Sequence, residues 1–544
     1  MEDFAIFSGL HSNAEKTTLL RIGTAAPLHN GILELGFNVV DSVTLLGLTI
    51  DNDLSFMTNY FEGTIAKIQN IIEYWERFHL SLAGRISVCK TFMLSQIGYI
   101  GSILSPTNNQ CKRLQDLTDK FCLGTMRIAK KKLYLPPAQG GLGLIKISSY
   151  ITALQCAWVK RSTEHWCDNW RFDLKKACYG NPLIANVNTF SRITNPVLHN
   201  ICSSFGKFTL EFYKKDRNYK KALVFKNGMF KRGRNDNGIL DENFFGNNRS
   251  FADFQQISKL KFDDFFVRGR PKSLHQTNMD SGVEFDLNCY MRIHESLQFY
   301  VTNRRDDEPV PDQSVGFFLK TFTKGSRPYR RILEYNINSK ESLSQSNTVT
   351  TFFRLLNTEI FDETLLKKSW GMWNHTFFLN FQREFLFKYF NNILGINARV
   401  SKFVAGHPSE CTFCIASGEP LPIYTEGFVH LFFECQHSEK YRSMAEADFF
   451  PEIAGESEQK RKIFWILGLV PDVNGNGYKA NLFMQSTVLT FNFLLWKMKL
   501  GKSMIPVSIF KSDLIYTTRC LLLKSVKLRE ARTNDHFFLC RNIF

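Results

Sequence analysis

The sequence predicts a mainly α-helical chain with small β elements. Apolar residues return every three or four positions through Tyr60–Trp75, Leu80–Ile100 and Cys111–Cys122, the period of a helix with one buried side. β-branched residues gather at Val39, Val40, Val43 and Thr44, where short strands are expected. Pro106, Pro136, Pro137 and the cluster Gly140, Gly141 and Gly143 interrupt the helical text and mark turns.

Taken in order, Ile65, Ile68, Ile71, Ile72 and Trp75 share one side of the first long helix. Ser81 suits the N-cap of the next, because its hydroxyl can accept from a backbone N–H that the helix leaves unpaired. That helix carries Ile86, Cys89, Phe92, Met93, Ile97 and Ile100 inward, with Arg85 and Lys90 towards the edges of the stripe. Pro106 and Thr107–Asn109 are expected to end it. Cys111–Cys122 forms a third amphipathic segment, followed by the cations Arg127, Lys130, Lys131 and Lys132.

A chain of 544 residues corresponds to roughly three or four domains of ~150 residues each. Lys plus Arg number 68 against 51 Asp plus Glu, a net charge of +17 that favours polyanionic partners through counterion release. A basic ribosomal-type or membrane-surface protein carries the same excess. The 51 phenylalanines supply core, and some are available as base-stacking platforms. Met1–Asp3 has no positive stretch followed by an apolar run, so no secretory signal is expected. Leu482–Trp496 is broken by Gln485, Ser486, Thr487, Thr490 and Asn492 and falls short of a membrane span. Thirteen cysteines without a framework spacing fit reduced thiols in a nuclear or cytoplasmic chain.

Residues 171–357 are the least readable. Their basic cluster includes Lys214, Lys215, Lys220, Lys221, Lys226 and Lys231, interleaved with Tyr213, Tyr219, Phe225 and Phe230. Such interleaving suits phosphate contacts with stacking, and equally a solvated loop or strand pair. Linkers are expected at Asn235–Ser250, Arg304–Ser314 and Asn338–Thr348. The pairs Asp263–Asp264 and Asp306–Asp307 are not expected to be catalytic.

The text sharpens at Asn380–Val404, a helix with Phe385, Tyr389, Phe390 and Ile393 inward, ending near Gly395, with Arg383, Lys388, Arg399 and Lys402 in solvent. Cys411 and Cys414 follow with two residues between them, then His430 after fifteen and Cys435 after four. A CxxC places two thiolates on one tight turn, and an imidazole with a third thiolate completes a tetrahedral set suited to Zn²⁺. Four protein ligands leave no open position, so the metal would be structural. His437 is a rival fourth ligand, and the other reading is two buried thiols beside a surface histidine. Leu494, Leu495, Met498 and Leu500 share one face of a helical tail beside Lys497 and Lys499, and Leu521–Arg532 repeats the basic amphipathic pattern. No Asp/Glu–x–Lys set follows Pro471–Asp472, so a nuclease domain is not expected.

Several of these stretches together resemble the reverse transcriptases of non-LTR (LINE-type) retrotransposons. They are Phe7–Gly23 with Gly9, Leu10, Asn13 and Lys16, Leu45–Asp51, Leu80–Ile100, Leu135–Leu144 and Ala153–Arg161. The resemblance implies a palm remnant with a primer-grip-like hairpin over 1–55, a helical thumb over 56–170 and a variable basic region over 171–357. A helix with a zinc knuckle over 358–445 and a helical tail over 446–544 complete it. It further implies RNA and/or DNA, including an RNA–DNA hybrid, as partner, with the upstream polymerase portion as a further one, and no small-molecule substrate or membrane. Lys16 would be a motif remnant, because the metal-holding carboxylates precede it in the family. No catalytic Mg²⁺ and no primer extension by this chain alone are therefore expected. A domesticated zinc-containing scaffold for proteins, and a truncated gene model of an active RNA-directed DNA polymerase, stay open as alternatives.

Overall fold

The computed structural model describes residues 6–9, 17–20, 38–45, 48–51, 56–124, 126, 128–137, 140–163, 169–184, 195–216, 222–227, 230, 240–246, 248–267, 270–301, 318–319, 325–339, 356, 369, 372–375, 378–417, 424–471 and 478–527. The described chain is mainly helical with small two-stranded sheets, as its periodicity predicts. Strand β1 (Thr18–Leu20) pairs in parallel with β2 (Asn38–Val40). β3 (Ser42–Leu45) and β4 (Leu48–Asp51) form an antiparallel hairpin that pairs Val43 with Ile50 and Leu45 with Leu48. In chain order the principal helices are α1 (Phe56–Glu76), α2 (Leu82–Val88), α3 (Leu94–Gly101), α4 (Asn108–Leu123), α5 (Ile147–Ser162), α6 (Pro196–Asp216), α7 (Leu287–Val301) and α8 (Arg327–Ser339). They continue with α9 (Asn380–Phe390), α10 (Asn397–Val400), α11 (Thr412–Ala416), α12 (Gln436–Phe449), α13 (Glu458–Leu467), α14 (Leu482–Gly501) and α15 (Val507–Lys527). Among the described residues, no helix is long and apolar enough to cross a membrane.

Two compact units are formed. The first comprises Met1–Trp75, Thr91–Thr118 and Lys146–Ile337; the second comprises Glu76–Lys90, Asp119–Ile145 and Asn338–Phe544. In the first, α5 packs on α3 and α6. Gln155 anchors this packing, its buried amide donating to Gly101 O and Leu104 O at 3.1 and 3.2 Å and accepting from Ser204 Oγ at 2.5 Å. The core then extends through a run of aromatic rings. Phe208 lies 5.5 Å from Phe318 and 5.0 Å from Tyr329, and Phe230 stacks on Phe262 at 5.8 Å.

Four local expectations change. Cys89–Met93 is a π-helical segment between α2 and α3. The extra residue in that turn rotates the following stripe, so Met93 and Ile97 stay buried while Phe92 is 44% exposed and leans on Trp75. Thr107–Asn109 does not close a helix but opens α4: Gln110 N donates to Thr107 Oγ1 and Thr107 N to Gln110 Oε1, a reciprocal cap. Phe225 and Phe230 are buried in the first unit's core, so neither ring offers a stacking platform. Lys226 is buried too, its ammonium 2.5 Å from Glu242, which removes it from the candidate phosphate contacts.

In the second unit α9 packs on α2 and α14, and α14 on α13 and α15. The polar residues that interrupt Leu482–Trp496 are buried; Ser486 and Thr487 donate to Phe483 O, whereas Thr490 Oγ1 and Asn492 Oδ1 have no hydrogen-bond partner among the described residues. Gln485 donates to Ser369 Oγ and Leu467 O, and Asn492 donates to Trp465 O and Tyr389 Oη. Leu500 turns out to be exposed, whereas Lys499 is buried and donates to Gly395 O at 2.7 Å. Helix α9 stops at Phe390, ahead of Gly395, where Asn392 takes a left-handed φ of 50°. Arg383, Lys388 and Arg399 are only half exposed and bond within the unit, to Trp373 O, Glu384 and Asn392 O.

Candidate metal centre

Four side chains converge in the second unit. A short antiparallel bridge joins Glu410 to Thr425, so Cys411 N donates to Tyr424 O and Glu426 N to Ser409 O, both at 2.8 Å. Cys411 caps α11, and one helical turn carries Cys414 back beside it; Ile415 N closes that turn on Cys411 O at 3.0 Å. The other two ligands come from a π-helical turn, His430–Glu434. Its closing bond, Cys435 N to His430 O at 2.8 Å, brings residues five apart onto one side. The His–x₄–Cys spacing is thereby explained.

The donor atoms of Cys411, Cys414, His430 and Cys435 all lie within 4.8 Å of one another. Cys411 Sγ is 4.0 Å and Cys414 Sγ 3.9 Å from Cys435 Sγ, and Cys414 Sγ is 3.6 Å from His430 Nε2. A tetrahedral ion with metal–sulfur bonds of about 2.3 Å requires sulfur–sulfur edges of about 3.8 Å. The set can therefore hold a metal ion and is compatible with zinc. Without a cation three thiolates this close repel: the hydrogen bond with Cys411, then that with His430, holds the Cys435 thiol down at about 3. The same bond with Cys435, with burial, pushes Cys411 up, and burial followed by the Cys435 charge raises Cys414. A divalent ion at their centre would relieve that conflict.

The ligands are held by a buried carboxylate. Glu426, fully buried, accepts from Thr412 N at 2.9 Å and Thr412 Oγ1 at 2.7 Å, beside Cys411, and from Asn397 N at 2.8 Å. Lys499 on α14 lies 3.4 Å from its other side. Asn397 Nδ2 donates to Glu410 O and Thr412 Oγ1, so α10 and α11 are fastened to each other. Tyr424 lays its half-exposed ring 5.3 Å from that of His430. His437 is buried on α12 and does not join the four converging donors. Motif spacing foretold the ligands but not Glu426, Asn397 or Lys499; the one available signal was a carboxylate standing alone in Tyr424–Val429.

The candidate nucleic-acid residues are dispersed. Lys90, Lys130 and Lys131 are exposed, Lys130 lying 3.9 Å from the buried Asp119. Arg85 is half-buried and donates to Phe121 O at 2.9 Å. Lys132 reaches Asn391 Oδ1 at 2.6 Å. Lys214 and Lys215 lie on α6, and Lys16, Arg127, Lys220 and Lys221 lie outside the described residues. No protein-family model matches this chain, and no curated protein matches it.

Proposed function

We propose that this chain binds RNA or an RNA–DNA hybrid through phosphate contacts, as a zinc-bearing polypeptide of the kind found in the carboxy-terminal part of non-LTR retrotransposon reverse transcriptases. The observation that carries the reading is the closed Cys₃His set at Cys411, Cys414, His430 and Cys435, within a chain of net charge +17. Bound zinc would cross-link α11 to the start of α12 and supply structure rather than chemistry, since four protein donors fill its coordination. Lys90, Lys130 and Lys131 supply exposed cations in the same unit.

The test is metal content together with binding. The purified chain should contain one zinc, lost on Cys414→Ser. It should also bind labelled RNA with an affinity that falls roughly tenfold or more between about 50 and 200 mM salt. Salt-independent binding would remove the electrostatic part, and primer extension by the chain alone would overturn its assignment as a binding polypeptide. A second reading, a zinc-containing scaffold for a protein partner, is favoured by Phe403, Val404 and Ile415, apolar residues exposed at 69%, 51% and 52% near the metal ligands in sequence. It predicts a protein complex that zinc chelation dissolves while RNA affinity stays unchanged.

A further inference from the structure

We propose that the turn Asn391–Asn392, flanked by Lys132 and Arg399, is a binding site for a phosphodiester group of a nucleic-acid strand. The inference rests on the reading above and locates one contact within it. Two cations from segments far apart in sequence meet on consecutive residues of this turn. Lys132, from the short helix Lys131–Tyr134, donates to Asn391 Oδ1 at 2.6 Å, and Arg399, on α10, donates to Asn392 O. The amide of Asn391 is fixed by two carbonyls, Gly140 O at 3.1 Å and Phe387 O at 3.0 Å, so its oxygen is turned to the lysine.

The glycine loop makes this approach possible. A Cβ on Gly141 would lie 2.1 Å from Leu135 O, so the loop can close this tightly only with glycine there. Gly140, in a left-handed conformation at φ 75°, then presents its carbonyl to Asn391.

Carboxylates that touch these elements are already engaged. Asp119 accepts from Tyr134 Oη at 2.5 Å. Glu384 accepts from Lys388 and from Leu82 N, and Glu426 from Asn397 and Thr412. Burial, then the charges of Lys131 and Arg399, lower the Lys132 ammonium to about 8, and burial also lowers Arg399. An anion among these groups would be attracted by both. The fork of Arg399 has donors beyond the one given to Asn392, and such forks match phosphate geometry, with the lysine acting as a second point charge.

The experiment measures binding of a fluorescein-labelled single-stranded RNA to the full chain over a salt series. Lys132→Met and Arg399→Gln should each lower the slope of log K against log salt by about one phosphate contact, whereas Lys440→Gln, at an exposed position on α12, should leave it unchanged. A second measurement needs no variant. Acetylation of the wild-type chain at pH 8, read by mass spectrometry, should label Lys132 more slowly when RNA is present. Wild-type binding with unaltered slopes in both variants and no protection of Lys132 overturns the site and leaves the proposed function standing. Absence of RNA binding by the wild-type chain overturns both.

Discussion

In the first unit the centre is built of rings: Phe205, Phe208, Phe225, Phe230 and Phe265 are buried in one core, packed largely on other rings. Near the metal ligands of the second unit the buried groups include a carboxylate, an ammonium and two thiols, with the half-buried Cys414 beside them, each fixed by a directional partner. Apolar contact falls off gradually with distance and tolerates small shifts, whereas charged and ligating groups lose most of their stabilisation once displaced. The contrast separates a core defined by volume from one defined by geometry.

Removing the metal should give the largest effect. Zinc bound by such sets contributes on the order of 10 kcal/mol to the folded state. Chelation should therefore release hydrogen-exchange protection over residues 396–417 and 424–435 while α5 and α6 keep theirs, and equal loss in both units would break the contrast. Phe208→Ala should cost about 3–5 kcal/mol by urea unfolding of the first unit, the usual range for deleting a buried aromatic. A cost below about 1 kcal/mol would mean the ring core can refill the space. Glu426→Gln keeps the size of the side chain but removes its charge from Lys499; a loss of about 1–3 kcal/mol is expected, together with weaker zinc retention against a competing chelator. Unchanged retention would show that the carboxylate supports the fold but not the ligands.

A pH effect sharpens the same comparison from the first unit. His294 packs its ring 4.4 Å from Tyr290 and 5.3 Å from Phe266, and burial holds its pKa down at about 4. The folded value lies below the ordinary 6.5, so the unfolded chain takes the proton first. The stabilisation from the neutral ring is complete above about 6.5 and is lost as pH falls towards about 4. Unfolding of the His294→Leu variant, followed between these values, should show a shallower pH dependence than wild type. An identical slope would place the sensitivity elsewhere.

Local chemistry was legible in the sequence. Ile65 and Ile68 are buried on α1 as their spacing requires, and Ser81 Oγ accepts from Gly84 N at 3.3 Å as an N-cap should. The Cys/His spacing foretold a convergent set. What stayed hidden depends on partners distant in the chain or on register. The π-helical turn that moves Phe92 outward has no local signature, and Lys226 reads as one more cation until Glu242 lies beside it. Glu426 likewise acquires its role from Asn397, Thr412 and Lys499, none of which its neighbours in sequence announce.

Helix α14 is keyed in place like a shaft in a slotted collar. Its amides at Gln485 and Asn492 engage carbonyls of Leu467 and Trp465, and Asn492 also meets the Tyr389 hydroxyl. Turning the helix by one residue would strand both amides in the interior, at about 1–3 kcal/mol apiece. Any rearrangement of the second unit therefore has to carry α9, α13 and α14 as a single piece, with bending left to the connections around them.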